Sequence, residues 1–123
     1  MKTVVLCFIL FFSNPNSLED LITSLEIRSS EEISNYFDSN SEIIINEKVS
    51  KGNKFQLTKT LDNFFAENNL REFKIIHKGD TQNNIIYMLA EYSSNDDIYK
   101  VFLTLLKAER KYIIQKFKID IRE

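Results

Sequence analysis

His77 is the only histidine in the chain, and it is the first side chain to consider for proton transfer. An imidazole exchanges a proton near neutral pH, so a histidine in a pocket could act as a general acid or base. Residue alternation along the predicted strands places three further polar side chains on the face of His77, namely Tyr87, Tyr99 and Gln115. The alternative for His77 is a structural histidine, packed near the turn that ends its strand.

Polar tips among apolar neighbours are typical of a small-molecule site, and equally of the polar rim of a core. Tyr36, on a predicted helix, could join this group, and Phe65 lies on the apolar stripe of another. Glu91 also falls on this face, where we expect an ion pair with Arg71. The candidate pocket lining is therefore Tyr36, Phe65, His77, Tyr87, Tyr99 and Gln115.

Several classes of site are excluded by composition. Two glycines cannot build a glycine-rich phosphate loop. One histidine and one cysteine exclude the common zinc sites. Counting residues does not exclude a Ser-His-acid triad, but no serine has the sequence context of a nucleophile elbow. We therefore expect no metal, no cofactor and no assignable catalytic residue.

Three helices are predicted before residue 70. Ser17 with Asp20 begins the first, about Leu18 to Ile27, because the serine side chain can cap the first turn. Ser29 with Glu32 begins a short second helix, and an apolar stripe predicts a third over about 56–68. Residues 38–41 are predicted to form a turn, followed by a short strand from Ile43 to Val49.

Residues 72–121 predict four strands joined by short polar turns, which makes an antiparallel meander. The strands are about Glu72–Lys78, Asn84–Tyr92, Ile98–Leu106 and Tyr112–Ile121. The predicted fold class is therefore α+β, with three N-terminal helices packed on a curved four-stranded meander plus one short extra strand.

Pairing the strands about their turns gives one face for the helices and a second face that is unusually apolar. An antiparallel sheet with a wet face should alternate apolar and polar residues, so an apolar second face indicates an interface. We predict a homodimer formed sheet to sheet; the alternative is that the N-terminal segment or a loop covers the patch. The predicted dimer face is Ile76, Ile86, Met88, Phe102, Leu106 and Ile114.

Residues 1–16 have the layout of a secretory signal peptide: Lys2, an apolar run over 4–12, and a polar exit. The run is shorter than the roughly 20 residues that span a bilayer, so we expect no membrane span after its removal. The alternative is a buried strand. We predict cleavage between Ser13 and Ser17, export to the periplasm or medium, and a single domain over 17–123. The only cysteine, Cys7, lies in the removed segment.

Basic residues are concentrated at the end of the chain, with 7 basic and 3 acidic side chains over 100–123 against 9 and 15 over 1–99. The favoured interpretation is the solvated side of a terminal hairpin. A site for nucleic acid or an anionic surface is the alternative. We expect no nucleic-acid partner, because the whole chain is mildly acidic and phosphate would repel it.

The order of elements resembles the nuclear transport factor 2-like superfamily over essentially all of 17–123. Three phrases are also similar to a small exported bacterial domain family of unknown function within it: Phe64-Phe65, residues 73–79 and residues 112–115. The resemblance implies a cone-shaped fold with a cavity between helices and sheet, and frequent dimers. It implies no activity, because this scaffold carries isomerases, dehydratases and non-enzymatic binding domains.

Superfamily members with a carboxylate base place it deep in the cone, whereas the matching mid-strand positions here include Tyr87, Leu89 and Val101. We therefore predict an exported, non-catalytic binding or accessory domain, with an apolar cavity for a small apolar ligand or an exposed face for a partner protein. The alternative is a small lyase or isomerase that uses His77 and a cavity tyrosine.

Overall fold

The computed structural model describes residues 17–122, an α+β arrangement of three α-helices and a six-stranded sheet. The helices are α1 (Leu18–Ile27), α2 (Ser30–Ile33) and α3 (Lys54–Glu67), with a 3₁₀ turn at Ser34–Tyr36. The strands are β1 (Phe37–Ile45), β2 (Lys48–Lys51), β3 (Glu72–Asp80), β4 (Ile85–Ser93), β5 (Ile98–Ala108) and β6 (Lys111–Ile121). The predicted signal peptide, residues 1–16, lies outside the described residues.

The strand order is β2-β1-β6-β5-β4-β3, and β1 runs parallel to β6 while the other neighbours are antiparallel. The predicted α+β class and the four-stranded meander are therefore confirmed, but the single extra strand is wrong. Asn46 and Glu47, with φ of 49° and 73°, turn the chain between β1 and β2. Two residues with positive φ suit the tight turn of a hairpin, so the predicted strand over 43–49 is two strands.

The helix starts follow from their caps. The Ser17 hydroxyl accepts a hydrogen bond from the Asp20 amide at 3.1 Å, and α1 has the predicted bounds. The Ser29 hydroxyl accepts from the Glu32 amide at 3.2 Å and starts α2. These side chains satisfy amides that the first turn of a helix leaves without partners.

The register between β4 and β5 differs from the predicted one by a single residue. Ser93 lies opposite Ile98, whereas the prediction pairs Tyr92 with Ile98. Because side chains alternate with period two, a slip of one residue moves every side chain of the strand to the other face. The inward side chains of β4 are Met88, Ala90 and Tyr92, all buried, and Tyr87 and Leu89 point to the outer face.

Two bulges change the faces within a strand. Ile76 is an extra residue in β3 between the pairs that Ile75 and His77 make with β4. Gln115 is an extra residue in β6 between the pairs that Ile114 and Lys116 make with β5. A bulge reverses the alternation beyond it and bends the strand. As a result, Ile75 is inward while His77 is outward.

The core lies between the helices and the inner face of the sheet. Leu21 and Leu25 of α1 and Leu57 and Leu61 of α3 are fully buried. They belong to one apolar cluster with inward residues of the sheet, including Leu103. Each such side chain contributes about 1.5–3 kcal/mol to the free energy of unfolding.

Three buried tyrosines donate hydrogen bonds from their hydroxyls to acceptors in other parts of the chain. Tyr36 donates to the Ser17 carbonyl at 2.9 Å, Tyr92 to the Leu25 carbonyl at 2.7 Å, and Tyr99 to Asn68 Oδ1 at 2.8 Å.

Burial makes these hydroxyls weaker acids than a tyrosine in water, since the charged phenolate would lose its hydration. Burial and the carboxylates of Asp20 and Glu32 raise the pKa of Tyr36 to about 12. Burial raises the pKa of Tyr92 well above its usual value, and Arg28 opposes this slightly. Burial and Asp97 raise the pKa of Tyr99.

Gly52 precedes α3 with φ of +147°, a conformation that favours glycine. A Cβ at this position would also collide with the Gln56 side chain. Gln56 and Asn53 form a reciprocal capping box, with amide-to-oxygen distances of 3.1 and 2.9 Å. We expect Gly52→Ala to lower the free energy of unfolding by about 1–2 kcal/mol through strain and loss of the cap. Chemical denaturation measures this, with the exposed Lys54→Ala as control; equal stabilities of the two variants would contradict it.

The raised tyrosine pKa values predict a loss of stability at alkaline pH. Above about pH 10 the unfolded chain releases tyrosine protons that the folded chain still holds, so the free energy of unfolding falls as pH rises. For Tyr36 this contribution is complete below pH 10.0 and is lost as the pH approaches about 12. We expect Tyr36→Phe to flatten the slope between those values by about one proton, or about 1.4 kcal/mol per pH unit. Denaturant titrations across this range measure the slope, and an unchanged slope in the variant would refute the assignment.

Candidate functional site

The six residues predicted to line one pocket lie on both sides of the sheet. Tyr36 and Tyr99 are buried on the inner side and Phe65 packs against the core there. The other three lie outside, His77 and Gln115 exposed and Tyr87 half-buried. Because the sheet separates the two groups, a pocket shared by all six is wrong. The register slip in β4 and the bulges at Ile76 and Gln115 are the physical reasons.

Aromatic rings occupy the inner space where Phe65 and Tyr99 are predicted to line a cavity. Phe64 and Tyr99 meet edge to face with centroids 5.4 Å apart, and Phe65 and Tyr92 with centroids 5.7 Å apart. Phe73 lies 4.9 Å from the Tyr92 ring. Such contacts stabilise each aromatic pair by about 0.5–1.5 kcal/mol beyond burial. These rings therefore pack the end of α3 onto the sheet and serve the core.

His77 and Tyr87 pair on the outer face. The His77 Nε2 and the Tyr87 hydroxyl are 3.1 Å apart, and their ring centroids are 5.5 Å apart. Gly79 lies directly opposite Tyr87, and a Cβ there would come 2.7 Å from the Tyr87 hydroxyl oxygen. The tyrosine ring thus covers the glycine, an arrangement known to support glycine in sheets. His77 is exposed to solvent in this pair, so it does not line a cavity as predicted.

The predicted ion pair between Glu91 and Arg71 is also wrong. The Glu91 carboxylate pairs with the Arg122 guanidinium at 3.0 Å, from the end of β6. Arg71 instead donates to Asn95 Oδ1 at 2.7 Å. Both contacts are exposed at one end of the sheet, where an ion pair contributes about 0–1 kcal/mol.

The outer face carries a row of directly opposite residues that crosses the whole sheet. From β3 to β2 the row is His77, Leu89, Phe102, Lys118, Ile44 and Val49. We call this the outer row. Leu89 is 40% exposed and Val49 53%, and the bulged Ile76 beside the row is 51% exposed. Large apolar side chains in such numbers on one face are typical of an interaction surface.

A second row beside it alternates in charge. It runs Lys74, Glu91, Lys100 and Asp120 across β3, β4, β5 and β6. Opposite charges facing each other across strands stabilise the sheet and remain near the surface. The outer face therefore combines an apolar row with both signs of charge.

Half of the predicted dimer face lies on the wrong side of the sheet. Met88 and Ile114 are fully buried, and Ile86 packs against the core. Their register partners in β5, Leu103 and Leu105, are inward as well. The three outward members are Ile76, Phe102 and Leu106, while sequence reasoning missed Leu89, Ile44 and Val49.

A cleft of about 760 Å³ opens between the first turn of α1 and the hairpin that joins β5 to β6. We call it the basic cleft. Its apolar side chains are Leu18, Ile22 and Tyr112, all half-buried. Its charged side chains are the cations Lys78, Lys107, Arg110 and Lys111 and the carboxylates Glu19 and Glu109. A volume of this size is in the range of small-molecule sites, about 300–1,000 Å³.

Sequence reasoning missed this cleft, although it noted the signal. The basic excess at the end of the chain is divided by the fold between two places. Lys118 and Arg122 lie at the outer face, in ion pairs of 3.8 and 3.0 Å with Asp120 and Glu91. Lys107, Arg110 and Lys111 instead converge with Lys78, which is distant in sequence.

Neither a metal cluster nor a membrane helix is found in the part of the chain that the structure covers. Within residues 17–122 no three of the His, Cys, Asp and Glu side chains are grouped to hold a metal ion. Over the same range no helix has the length and apolar character needed to cross a membrane.

Comparisons with solved structures find the same fold in bacterial proteins. A DUF4783 family protein from Bacteroides uniformis is 21% identical, with a TM-score of 0.78 over 88% of this chain and 99% of that one. One from Bacteroides ovatus is 21% identical, with a TM-score of 0.76 over 84% and 93%. An NTF-2 like protein of unknown function from Silicibacter pomeroyi is 15% identical, with a TM-score of 0.62 over 85% and 92%. None of the curated proteins matches the sequence.

Residues 18–120 match the model of a family described as "Domain of unknown function (DUF4783)". This range includes the three helices described over 17–122 and nearly all of the sheet. The fold neighbours also include a protein of unknown function with a cystatin-like fold from Nostoc punctiforme, with a TM-score of 0.62. The predicted resemblance to the nuclear transport factor 2-like superfamily, and to a family of unknown function within it, is thereby confirmed. The chain belongs to the DUF4783 family and has the NTF2-like, cystatin-like α+β fold.

Proposed function

We propose that this chain is an exported, non-catalytic binding domain that works as a homodimer joined through the outer faces of two sheets. The observation that carries the proposal is the outer row, with Leu89, Val49 and the adjacent Ile76 each at least 40% exposed. Exposed apolar area of this kind stabilises an assembly when a partner covers it.

A second copy of the chain is the occupant that fits the charges. The row beside the apolar residues presents two lysines and two carboxylates in alternation. In a twofold dimer the same patch meets itself, so a surface with both signs of charge can place its lysines against its own carboxylates. A surface of one sign would repel its copy. The dimer is thus retained from the sequence prediction, with Leu89, Ile44 and Val49 replacing the inward-facing Met88, Ile86 and Ile114.

The lyase or isomerase alternative loses its main support. That alternative needs His77 and a tyrosine hydroxyl in one cavity. His77 is exposed on the outer face with Tyr87, while Tyr36, Tyr92 and Tyr99 donate their hydroxyl protons to acceptors within the fold. An NTF2-like fold alone decides nothing about activity, because it includes enzymes and non-enzymes.

Export follows from the sequence of residues 1–16, where one lysine precedes a short apolar run and a polar exit. We expect the protein recovered from its host to lack this segment. Intact mass spectrometry should give a mature N-terminus between Ser13 and Ser17. Recovery of chains that still begin at Met1 from the exported fraction would contradict removal, and recovery only from the cytoplasm would contradict export.

A charge placed in the outer row should break the dimer. We expect Leu89→Lys to shift the chain from dimer to monomer, because burying an unpaired ammonium costs several kcal/mol, of the order of 2–5. Sedimentation velocity at high micromolar concentration measures the change. Phe55→Lys is the matched control, since Phe55 is 72% exposed on α3 and is not part of the outer row. A monomeric wild-type chain at that concentration, or equal behaviour of the two variants, would contradict the interface.

A further inference from the structure

The basic cleft is a second surface feature of the chain, and the proposed dimer does not use it. Its walls come from three parts of the chain: the start of α1, the end of β3 and the hairpin of β5 and β6. The hairpin has only two residues between Ala108 and Lys111, and Glu109 within it has φ of 45°. So short a turn fixes Arg110 and Lys111 relative to the sheet.

The cations of the cleft are not neutralised by their neighbours. The ion pairs within residues 17–122 involve other side chains, so Lys78, Lys107, Arg110 and Lys111 lack a carboxylate within 4.0 Å there. Against these four cations the cleft has two carboxylates, Glu19 and Glu109. Like charges held close together repel one another, and an anion that binds among them relieves the repulsion.

Helix α1 also borders the cleft. Ser17, Leu18 and Glu19 of its first turn line the cleft. The first turn of a helix leaves amide protons without helical partners and forms the positive end of the helix dipole. One amide, that of Asp20, is already bound by the Ser17 hydroxyl at 3.1 Å. Glu19 and Asp20 in the same turn offset this positive end, so the site rests on the side-chain cations and not on the helix end.

The apolar side chains define the rest of the ligand. Leu18 and Ile22 lie one turn apart on α1, and Tyr112 packs against the core from β6. A smaller cleft of about 270 Å³ adjoins the first through Leu18 and Lys78 and adds Ile86 to this wall, and the acidic Asp80 also lines it. A ligand with only charge would leave this apolar wall in water, and one with only an apolar body would leave the cations unpaired.

We propose that the basic cleft binds a small free anionic amphiphile, with a carboxylate or phosphate headgroup among the four cations and an apolar body against Leu18, Ile22 and Tyr112. This inference rests on the proposed binding role and identifies its ligand class. The site lies within one chain, so it does not require the dimer.

The test is a titration of the isotope-labelled full chain, followed by amide signals in solution NMR, with octyl phosphate as the probe. We expect saturable shifts at Leu18, Ile22, Lys78 and Tyr112. Inorganic phosphate supplies the charge without the apolar body, and octyltrimethylammonium supplies the body with the opposite charge. We expect at least about tenfold weaker binding of each, which corresponds to about 1.4 kcal/mol. Equal affinity for all probes, or shifts elsewhere on the chain, would overturn the proposal.

Charge reversal at the hairpin tests whether Lys107 and Arg110 bind the headgroup. We expect Lys107→Glu combined with Arg110→Glu to weaken octyl phosphate binding at least about tenfold. The matched control is Lys54→Glu combined with Lys59→Glu, which changes the net charge equally at exposed positions of α3. Equal weakening in both variants would show a general charge effect and sink the site. High salt should weaken binding to the wild type as well, because the cations are exposed and screened.

Two further measurements distinguish a free ligand from a membrane surface, and the cleft from the dimer interface. Vesicles of phosphatidylglycerol present the same headgroup chemistry on a membrane, and binding to vesicles without binding to octyl phosphate would refute a free ligand. Sedimentation of the same samples reports the dimer independently. A dimer that does not bind octyl phosphate would contradict only the ligand site in the cleft. A monomer that binds octyl phosphate would contradict only the dimer interface.

Discussion

The buried hydroxyl of Tyr92 donates to the carbonyl of Leu25 at 2.7 Å and joins the last turn of α1 to β4. A hydroxyl buried without a partner costs about 1–3 kcal/mol, so Tyr92 must face the helix wherever the strand pairs. That requirement sets the register of β4. It sends Met88 and Ala90 inward and leaves Tyr87 and Leu89 outside. The faces of β4 depend on this contact, and the bulge at Ile76 then places His77 opposite the outward Leu89.

Local chemistry was sufficient to predict the three helices and the four strands of the meander. Capping side chains at Ser17 and Ser29 act within a few residues, and the same residues cap the helices in the structure. The faces of the sheet were beyond such reasoning, because β4 contains apolar or aromatic residues on both sides. With Tyr87 and Leu89 as apolar as Met88 and Ala90, the alternation cannot distinguish two registers that differ by one residue. The packing of Tyr92 against α1 decides between them, and that contact joins residues far apart in sequence.

Polar residues misled the prediction in a different way. Asp, Asn and Ser favour turns because their side chains bond nearby backbone. Here the Asp38 carboxylate accepts from the Asn40 amide, and the Ser41 hydroxyl accepts from the Asp38 amide. However, Ser41 also donates to the carbonyl of Ile114 in β6, so the segment continues as a strand beside it. The irregular pairing between Phe37 and Glu42 is where this polar stretch passes β6. Residues that predict a turn thus form an irregular stretch inside β1. The sequence alone does not show this, because it depends on the pairing with β6.

The two candidate surfaces lie on different sides of the sheet, and this follows from its curvature. The bulges at Ile76 and Gln115 bend β3 and β6, and a bent sheet can wrap the helices on its inner side while its outer side stays open. The outer row crosses the middle of that open side, whereas the basic cleft is bounded by α1 and so belongs to the inner side. Two chains joined by their outer faces would leave both clefts open to solvent. Self-association and ligand binding therefore need not compete in this fold, and each can change through substitutions that leave the other intact.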